Sequence, residues 1–363
     1  MPRVIGIDPG TVSLDLCGLD DGRLFLDRSW PTAEALADPA RFVAELEAAG
    51  PLDLVAGPSG YGLPLTRVQD ATEEDLRLAF LAAPGETGGI GGLRNLVRAL
   101  TRSALPVVLT PGVVHLASVP AHRKVNRVDM GTAEKVGAVA LAISEQARRS
   151  GSRLSDVSFV LLDLGGAFTA AVAVAGGRIV DGVGGSAGAL GFRAAGALDG
   201  EVAYLAGEVS KALLFRGGAA TIAGWDETTV PPSAERLAQP ATAAEQVARD
   251  ALVESVVKTA VALATAVPAP KEFLLCGRLA QVQPLARAIG ERLAAFAPTR
   301  ALEGFAHTAK EGAQGAALIA DGLAGGANRE LVERLGIRAA RGSVLDHLYV
   351  VPREHARRRL GLS

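Results

Sequence analysis

The feature that most constrains the fold of this chain is a strand, a turn and a hairpin that occur twice. The first copy runs from Val4 to Thr11 and its hairpin turns at residues 20–23, and the second runs from Val160 to Gly166 and turns at residues 175–178. Asp8 and Asp163 occupy the same place in the two copies, which are offset by 155 positions. A single buried strand ending in Asp-x-Gly carries little information. Two copies in one register predict two domains of like fold, each offering a carboxylate and a glycine turn to a shared cleft.

Charge and cysteine content exclude several classes of protein. The chain has 363 residues, with 37 Lys+Arg against 39 Asp+Glu. This balance predicts no nucleic-acid partner. Two cysteines, Cys17 and Cys276, make neither a disulfide framework nor a metal cluster, and they fit a reducing cytoplasm. No N-terminal targeting segment and no uncharged apolar run of about 20 residues is present, so we expect a cytoplasmic protein with no membrane association.

The predicted elements divide the chain into two halves. Both copies of the repeat are predicted to be three-stranded antiparallel meanders. The polar stretch 148–155 separates the halves. Domains are therefore predicted over 1–152 and 153–325, followed by an extension over 326–363 for which packing back on the first domain is one expected arrangement. Helices are predicted over 132–149, 200–215, 242–266 and about 309–323.

The two turns have the residue types of a phosphate site. In Asp8-Pro9-Gly10-Thr11 the glycine permits a tight turn, so that successive N–H groups can face an anion. The carboxylate would hold Mg²⁺, mainly through its waters, because this ion dehydrates reluctantly. The alternative is a plain hairpin with Asp as a turn residue. The second copy, Asp163 to Thr169, adds a glycine and a hydroxyl, and the pair together favours phosphate binding.

Two helices carry glycine inside them, in the segments Thr132 to Ala140 and Glu311 to Ala317. Glycine within a helix costs roughly 1 kcal/mol relative to alanine, and in return it permits another backbone to come close. The two helices are therefore predicted to cross each other tightly and to form a hinge. Ordinary alanine-rich helices are the alternative.

In this order and spacing, the motifs resemble those of the superfamily of acetate and sugar kinases, heat-shock chaperone ATPases and actin. That resemblance implies an α/β fold of two ribonuclease-H-like domains, the actin-like ATPase fold, with a nucleotide cleft between them and with ATP and Mg²⁺ as ligands. The segment Leu275 to Arg278 resembles the adenosine motif, and the two glycine-bearing helices resemble the connecting helices. The loops 57–62 and 126–133 further resemble a prokaryotic family labelled predicted butyrate kinases.

This sequence departs from the pattern of the superfamily in two places. The adenosine motif of the superfamily ends in two glycines, whereas here Gly277 is followed by Arg278. An arginine there could stack on adenine, pair with a phosphate or block the purine slot. The histidine or asparagine that carboxylate kinases place near the phosphates has no match in this sequence. The choice of base and of acceptor therefore stays open.

The resemblance implies phosphoryl transfer from MgATP to a small acceptor, with a carboxylate as one candidate. Asp8 and Asp163 would organise Mg²⁺. The candidates for binding nucleotide are Gly10, Thr11, Gly165, Gly166, Thr169, Gly277 and Arg278. Glu134 resembles the acid that orients water in chaperone ATPases, and Glu134 or Asp163 would be the base for a hydroxyl acceptor. A carboxylate acceptor needs a cation instead, for which Arg127 is preferred over Arg94 and Arg193. Ser59, Tyr61 and Asn126 are the further candidates for acceptor binding.

The rival prediction is a nucleotide-dependent switch ATPase that activates or regulates a protein partner. Activator ATPases share these motifs and use hydrolysis to move their lobes. Turnover stimulated by a small acceptor would favour the kinase, and turnover stimulated by a partner would favour the switch. Kinases of this fold are often dimers, which leaves a homodimer open.

Overall fold

The duplicated meander forms the first three strands of each of two sheets in the computed structural model, which describes residues 2–84, 90–226 and 232–362. The six strands of the first sheet are β1 (Arg3–Pro9), β2 (Ser13–Asp20), β3 (Arg23–Pro31), β4 (Leu54–Ala56), β5 (Thr66–Arg67) and β6 (Val107–Leu109). The five strands of the second are β7 (Phe159–Leu164), β8 (Thr169–Ala175), β9 (Arg178–Val183), β10 (Glu272–Cys276) and β11 (Thr299–Ala301).

The two sheets share one strand order. The first reads β3-β2-β1-β4-β6-β5 and the second, read from its far edge, β9-β8-β7-β10-β11. In both, the leading strand pairs antiparallel with the next strand and parallel with a later one, as β1 does with β2 and β4, and β7 with β8 and β10. The predicted α/β fold with two like sheets is therefore confirmed.

The hairpin turns explain why the repeat keeps glycine there. Asp21 and Gly22 have φ values of 53° and 72°, and Gly176 and Gly177 have 59° and 66°. Two successive positive φ values define a type I′ turn, whose twist matches that of the flanking strands. Only glycine, asparagine and aspartate adopt this backbone readily, so both turns favour the same hairpin register.

Fifteen helices and five short 3₁₀ turns complete the described part of the chain. The helices are α1 (Thr32–Ala37), α2 (Pro39–Ala48), α3 (Glu73–Phe80), α4 (Ile90–Thr101), α5 (Ala121–Lys124), α6 (Ala133–Ser150), α7 (Gly200–Ala206), α8 (Lys211–Leu214), α9 (Ala219–Ile222), α10 (Ala234–Ala238), α11 (Ala243–Ala264), α12 (Gln283–Leu293), α13 (Glu311–Leu323), α14 (Arg329–Leu335) and α15 (Arg353–Arg359). The 3₁₀ turns lie at Val68–Asp70, Val113–His115, Leu154–Asp156, Arg278–Gln281 and Ile337–Ala339. Within these residues, no helix has the length and apolar character that a bilayer span requires.

The chain divides into two compact units. The first contains Met1–Val157, Gly176–Ile179 and Glu303–Ser363, and the second contains Ser158–Ala175 and Val180–Leu302. The predicted second domain, 153–325, differs from this division at its end. Residues 303–325 group with the first unit because α13 packs against β1 and α6 there. The 326–363 extension also groups with the first unit.

In the first unit, glycines let α13 lie directly on its neighbours. A Cβ on Gly6 of β1 would stand 2.2 Å from the Ala317 nitrogen, and one on Gly315 would stand 1.7 Å from the Gly137 oxygen of α6. Real Cβ atoms do not approach that closely, so the backbones themselves are in contact. The predicted tight crossing of the two glycine-bearing helices is thus present, and both helices belong to the first unit.

The second unit has its own core around β7, β10 and α11. Phe273 of β10 and Val256 of α11 are fully buried in it. At one end the Trp225 indole donates to Glu245, whose carboxylate also accepts from the amides of Ala241 and Thr242. These bonds fix the segment that leads into α11, which is the longest helix of the described chain.

Candidate functional site

The first phosphate motif lies where β1 gives way to β2. Asp8, the residue before the last of β1, lies opposite Asp15 of β2. A Cβ on Gly10 would stand 2.7 Å from the Ser13 oxygen, and one on Gly165 would stand 2.8 Å from the Phe168 oxygen, the equivalent atom of the second copy. Both glycines are therefore required by the same close approach within the turn.

Asp8 is held in a nearly closed environment. Its side chain is 7 % exposed, and Gly312 at the start of α13 is so near that a Cβ there would stand 2.5 Å from Asp8 Oδ2. Burial raises the pKa of Asp8 to about 7, although the positive charges of Lys135 and Lys310 oppose the rise. The charged form of this carboxylate is thus poorly solvated, and a bound cation would stabilise it.

Glu134 lies close enough to Asp8 to act on it electrostatically. It is in the first turn of α6 and accepts a hydrogen bond from Thr132 Oγ1, and its negative charge contributes to the raised pKa of Asp8. Lys135 Nζ lies 4.0 Å from Glu134 Oε1. The first unit therefore brings together two acidic side chains and the positive end of α13, the helix terminus that favours negative charge.

Sequence reasoning missed three polar residues beside Gly10. Lys310, which precedes α13, donates to Ser13 Oγ, and its Nζ lies 2.9 Å from Asp15 Oδ2. Asp15 is fully buried between Leu14 and Leu16 in β2. A charged residue within an apolar strand was the signal that could have revealed this group, because buried carboxylates need a partner.

The segment that leads to Lys310 is fixed by Asp27 of β3. Its carboxylate accepts hydrogen bonds from the amides of His307, Thr308 and Ala309. Burial acts to raise the pKa of Asp27, but these three bonds outweigh it and hold that pKa below its usual value. Asp27 thereby positions the chain immediately before α13.

Apart from Arg193, the candidates for acceptor binding are scattered over the first unit. Ser59 is buried, donates to the Gly57 oxygen and accepts from the Thr110 amide, while Tyr61 is buried in the same loop. Arg94 lies on α4, where it acts electrostatically on Glu73. Asn126 and Arg127 are exposed after α5.

These placements leave the acceptor roles as predictions. The Ser59 hydroxyl already bridges the Gly57 oxygen of its own loop and the Thr110 amide, which follows β6. Asn126 Oδ1 accepts from the amides of Tyr349 and Val350, so it anchors the C-terminal segment. The loop of Ser59 does reach the start of α6, because the Gly60 oxygen accepts from the Ala133 amide.

In the second unit, the second phosphate motif and the adenosine motif are neighbours. Asp163 lies opposite Cys276 where β7 and β10 run parallel. A Cβ on Gly277 would stand 2.5 Å from Asp163 Oδ1, and Gly277 has a φ of 84°. The two predicted motifs thus lie side by side at the carboxyl ends of the neighbouring strands β7 and β10, and we call this place the edge of the second sheet. Gly165 and Gly166 follow Asp163 there and are partly exposed.

Three other predicted residues surround that edge. Thr169 is 2 % exposed, and its hydroxyl has no hydrogen-bond partner among the described residues. The Arg193 amide donates to the Ala167 oxygen, which places Arg193 beside the turn of the motif. Arg278 is exposed and acts electrostatically on Glu235. The oxygen of a bound ligand could accept a hydrogen bond from this buried, unsatisfied Thr169 hydroxyl.

The donor set suits a magnesium ion that arrives with a nucleotide. Within the described ranges, no cluster of three or more His, Cys, Asp or Glu side chains could hold a metal. Mg²⁺ commonly keeps several waters and takes one or two carboxylates together with substrate phosphates. The nearly buried Asp8, which a cation would stabilise, fits that mode of binding.

Comparison with known proteins agrees with this geometry at the level of fold. Residues 6–350 match the family described as "Protein of unknown function (DUF1464)". The chain belongs to the DUF1464 family. No curated protein sequence matches the chain significantly. The DUF1464 match does not confirm the narrower resemblance to predicted butyrate kinases.

Solved structures of acetate and propionate kinases share the fold of this DUF1464 chain. A propionate kinase from Francisella tularensis subsp. tularensis SCHU S4 has a TM-score of 0.61 at 12% identity, covering 87% of this chain and 99% of that one. Acetate kinase from Entamoeba histolytica gives 0.58 at 12% identity over 80% and 86%, and that from Porphyromonas gingivalis gives 0.56 at 13% over 82% and 88%. The predicted actin-like ATPase fold of the acetate kinase type is therefore confirmed.

Proposed function

We propose that this protein is a kinase that transfers a phosphoryl group from MgATP to a small acceptor, for which a short carboxylate is the first candidate. One observation carries the proposal. The same Asp-x-Gly turn stands at equivalent strand ends in two sheets of a fold that acetate and propionate kinases share. Phosphoryl transfer needs little covalent chemistry from the protein and relies on positioning and charge stabilisation.

The proposed roles follow from the surroundings of each residue. Asp8 and Asp163 would hold Mg²⁺ through its waters, and the ion would offset charge on the phosphates. The amides around Gly10 and around Gly165 and Gly166 would donate to phosphate oxygens, with the hydroxyls of Thr11 and Thr169 as further donors. Gly277 and Arg278 would contact the nucleoside.

The acceptor decides what else is needed. A carboxylate is already ionised near pH 7 and needs no base, but two anions must then meet, which calls for a cation such as Arg127, Arg94 or Arg193. A hydroxyl acceptor would instead use Glu134 or Asp163 as its base, and the bond from Thr132 holds the Glu134 carboxylate in one orientation. Ser59, Tyr61 and Asn126 remain the further candidates for acceptor contacts.

The test is MgATP consumption against short carboxylates, sugars and alcohols, with hydroxylamine present to trap any acyl phosphate. Turnover that one acceptor class stimulates would support the kinase and identify its chemistry. Nucleotide that binds but is hydrolysed slowly, whatever small acceptor is added, would contradict the kinase and favour a switch ATPase with a protein partner.

Asp163→Ala is the variant that ties activity to the proposed site. We expect it to lower Mg-dependent turnover at least about a hundredfold, the scale on which one preorganised electrostatic group acts, while circular dichroism shows a folded protein. Asp250→Ala is the matched control, because Asp250 is an exposed aspartate on α11 of the same unit. Retained activity in folded Asp163→Ala would contradict the role of Asp163.

A further inference from the structure

The ammonium of Lys310 lies against the turn of the first phosphate motif. Its Nζ is 2.9 Å from the position that a Cβ on Gly10 would occupy. The same nitrogen donates to Ser13 Oγ and contacts Asp15 Oδ2. A lysine ammonium has three protons, and these two contacts leave one for a ligand at this turn.

Asp15 holds that ammonium from the protein side. Its side chain is 1 % exposed, whereas that of Lys310 is 33 % exposed. Taking a carboxylate out of water is costly unless a positive charge compensates it. The pair is therefore asymmetric: the acid is sealed within β2, while the base keeps access to solvent and to a solute.

The backbone of Lys310 is fixed as well. The three amides immediately before it donate to Asp27, and α13 begins immediately after it. A long side chain that starts from a fixed backbone loses less conformational freedom when it orders around a ligand.

The second copy of the meander shows that these polar residues are not needed for the hairpin itself. At the offset of 155, Ser13, Asp15 and Asp27 correspond to Phe168, Ala170 and Gly182. The second hairpin has the same strand pairing and the same glycine turn without them. Their function in the first copy is therefore tied to Lys310 rather than to the meander.

We propose that Lys310 binds the terminal phosphates of the nucleoside triphosphate, and that Asp15 is a positioning residue that holds its ammonium at the Gly10 turn. This inference rests on the proposed function and extends it with a phosphate-binding cation. The remaining N–H of Lys310 donates to a phosphate oxygen, and its positive charge offsets phosphate charge as an anionic acceptor approaches. Lysine binds phosphate as a point charge, so arginine at this position retains part of the effect.

The experiment is isothermal titration calorimetry with MgATP and with adenosine. The proteins are the wild type, Lys310→Met, Lys310→Arg and the control Lys258→Met, whose lysine is 74 % exposed and paired with Glu254 on α11. Lys310→Met is expected to weaken MgATP binding at least about tenfold, the loss of one charge-assisted hydrogen bond. Adenosine affinity stays unchanged in it, Lys310→Arg recovers part of the loss, and Lys258→Met binds both ligands like the wild type.

Two further variants separate positioning from folding. Lys310→Met leaves the buried Asp15 carboxylate without its positive partner, so this variant could fail to fold. The double variant Lys310→Met/Asp15→Asn removes both charges and allows the test in that case. In the wild-type background Asp15→Asn is expected to weaken MgATP binding, whereas adding it to Lys310→Met causes no further loss. An Asp15→Asn loss of the same size in both backgrounds would overturn the positioning role.

The outcomes that overturn the inference differ from those that overturn the proposed function. MgATP affinity equal to wild type in the folded Lys310 variants overturns the inference alone, as does an equal loss for MgATP and adenosine. A wild-type protein that binds no MgATP overturns the proposed function, and the inference with it.

Discussion

Gly277 is required at its position for two separate reasons. Its φ of 84° and ψ of 174° belong to a region of backbone space that is essentially restricted to glycine. A Cβ would also stand 2.5 Å from Asp163 Oδ1, so any side chain displaces the carboxylate. The glycine of the adenosine motif thus has a direct effect on the second phosphate motif.

Gly277→Ala is therefore expected to lower Mg-dependent turnover as well as stability. Gly224→Ala is the matched control, because Gly224 has a φ of 75° in the same unit and a Cβ there meets nothing within 4 Å. Both variants carry backbone strain of about 1–3 kcal/mol, measured as a shift of the urea midpoint. Only Gly277→Ala should lose activity, and equal activity of the two folded variants would contradict the coupling to Asp163.

The hydrogen-bonded carboxylate of Asp27 is expected to make a pH-dependent contribution to the free energy of unfolding. Its pKa is below the usual value in the folded state, so its contribution is present above the unfolded pKa of about 3.9 and is lost as pH falls through the folded pKa. We expect Asp27→Asn to reduce the free energy of unfolding by about 1–2 kcal/mol at pH 7. The difference from wild type should shrink below about pH 4.

The measurement is urea denaturation of both proteins between pH 7 and pH 3. Asp21→Asn is the control, because it removes the same charge from the β2–β3 turn, where asparagine also accepts the positive φ of 53°. A difference between wild type and Asp27→Asn that stays constant over the whole pH range would argue against the bonded carboxylate as its cause.

At the residue scale, the sequence revealed what the repeat duplicates and missed what it does not. Asp8 and Asp163 were predicted together because they occupy the same place in the two copies of the repeat. Lys310 is 300 positions from Gly10 and has no counterpart in a repeat, so only the packing of α13 on β1 brings the two together. The structural contacts of Ser59 and Asn126 could not be predicted either, since each side chain accepts from the amide of a residue that is distant in sequence, Thr110 and Tyr349.

At the scale of elements, the crossing of α6 and α13 is the most demanding contact in the first unit. Gly315→Ala would place a Cβ 1.7 Å from the Gly137 oxygen, which is backbone and cannot rotate away. We expect a loss of at least about 2 kcal/mol from overpacking, although alanine is the better helix former.

Gly290→Ala is the matched control for that prediction. Gly290 is also inside a helix, α12, but the nearest atom to its Cβ position is 3.5 Å away, an ordinary contact. This variant should gain up to about 1 kcal/mol. Opposite signs in thermal denaturation are the expected result, and a stabilised Gly315→Ala would contradict the close crossing.

Element boundaries were predicted best for α6 and α11, the two longest helices of the described residues. The helices predicted over 132–149 and 242–266 are observed at Ala133–Ser150 and Ala243–Ala264. The single helix predicted over 200–215 is two short helices, because Gly207 takes a φ of 72° at the end of α7 and Ser210 begins α8 by capping it. Composition could not reveal that break, since glycine also occurs inside α6 and α13.

For the whole molecule, the C-terminal segment is held by a loop more than 200 positions earlier. Asn126 has a φ of 53°, and its side chain accepts from the amides of Tyr349 and Val350. Further along, Arg77 donates to the Leu360 oxygen. The segment therefore belongs to the fold of the first unit.

Asn126→Gly keeps the backbone conformation and removes only the acceptor. We expect the amides of Tyr349 and Val350 to exchange with deuterium faster, because each loses its hydrogen bond. Asn95→Ala, on the exposed face of α4, is the control. Unchanged exchange at both amides would show that the segment is held by other contacts.

The domain boundary was the least predictable feature of the whole chain. Sequence order places α13 after the second meander, and the prediction assigned it to the second domain. Its partners are instead Gly6 and Gly137 of the first unit, contacts between residues that no local pattern links.

The discontinuous first unit has a consequence for synthesis on the ribosome. Residues 1–157 are made before α13, which packs on β1 at Gly6 and starts at Glu311. At about 5–20 residues per second, the 166 residues from Ser158 to the end of α13 at Leu323 take roughly 8–33 s. The second unit, complete by Leu302, can thus fold while the first unit still lacks α13. The unit that begins first on the ribosome is therefore the one that is completed last.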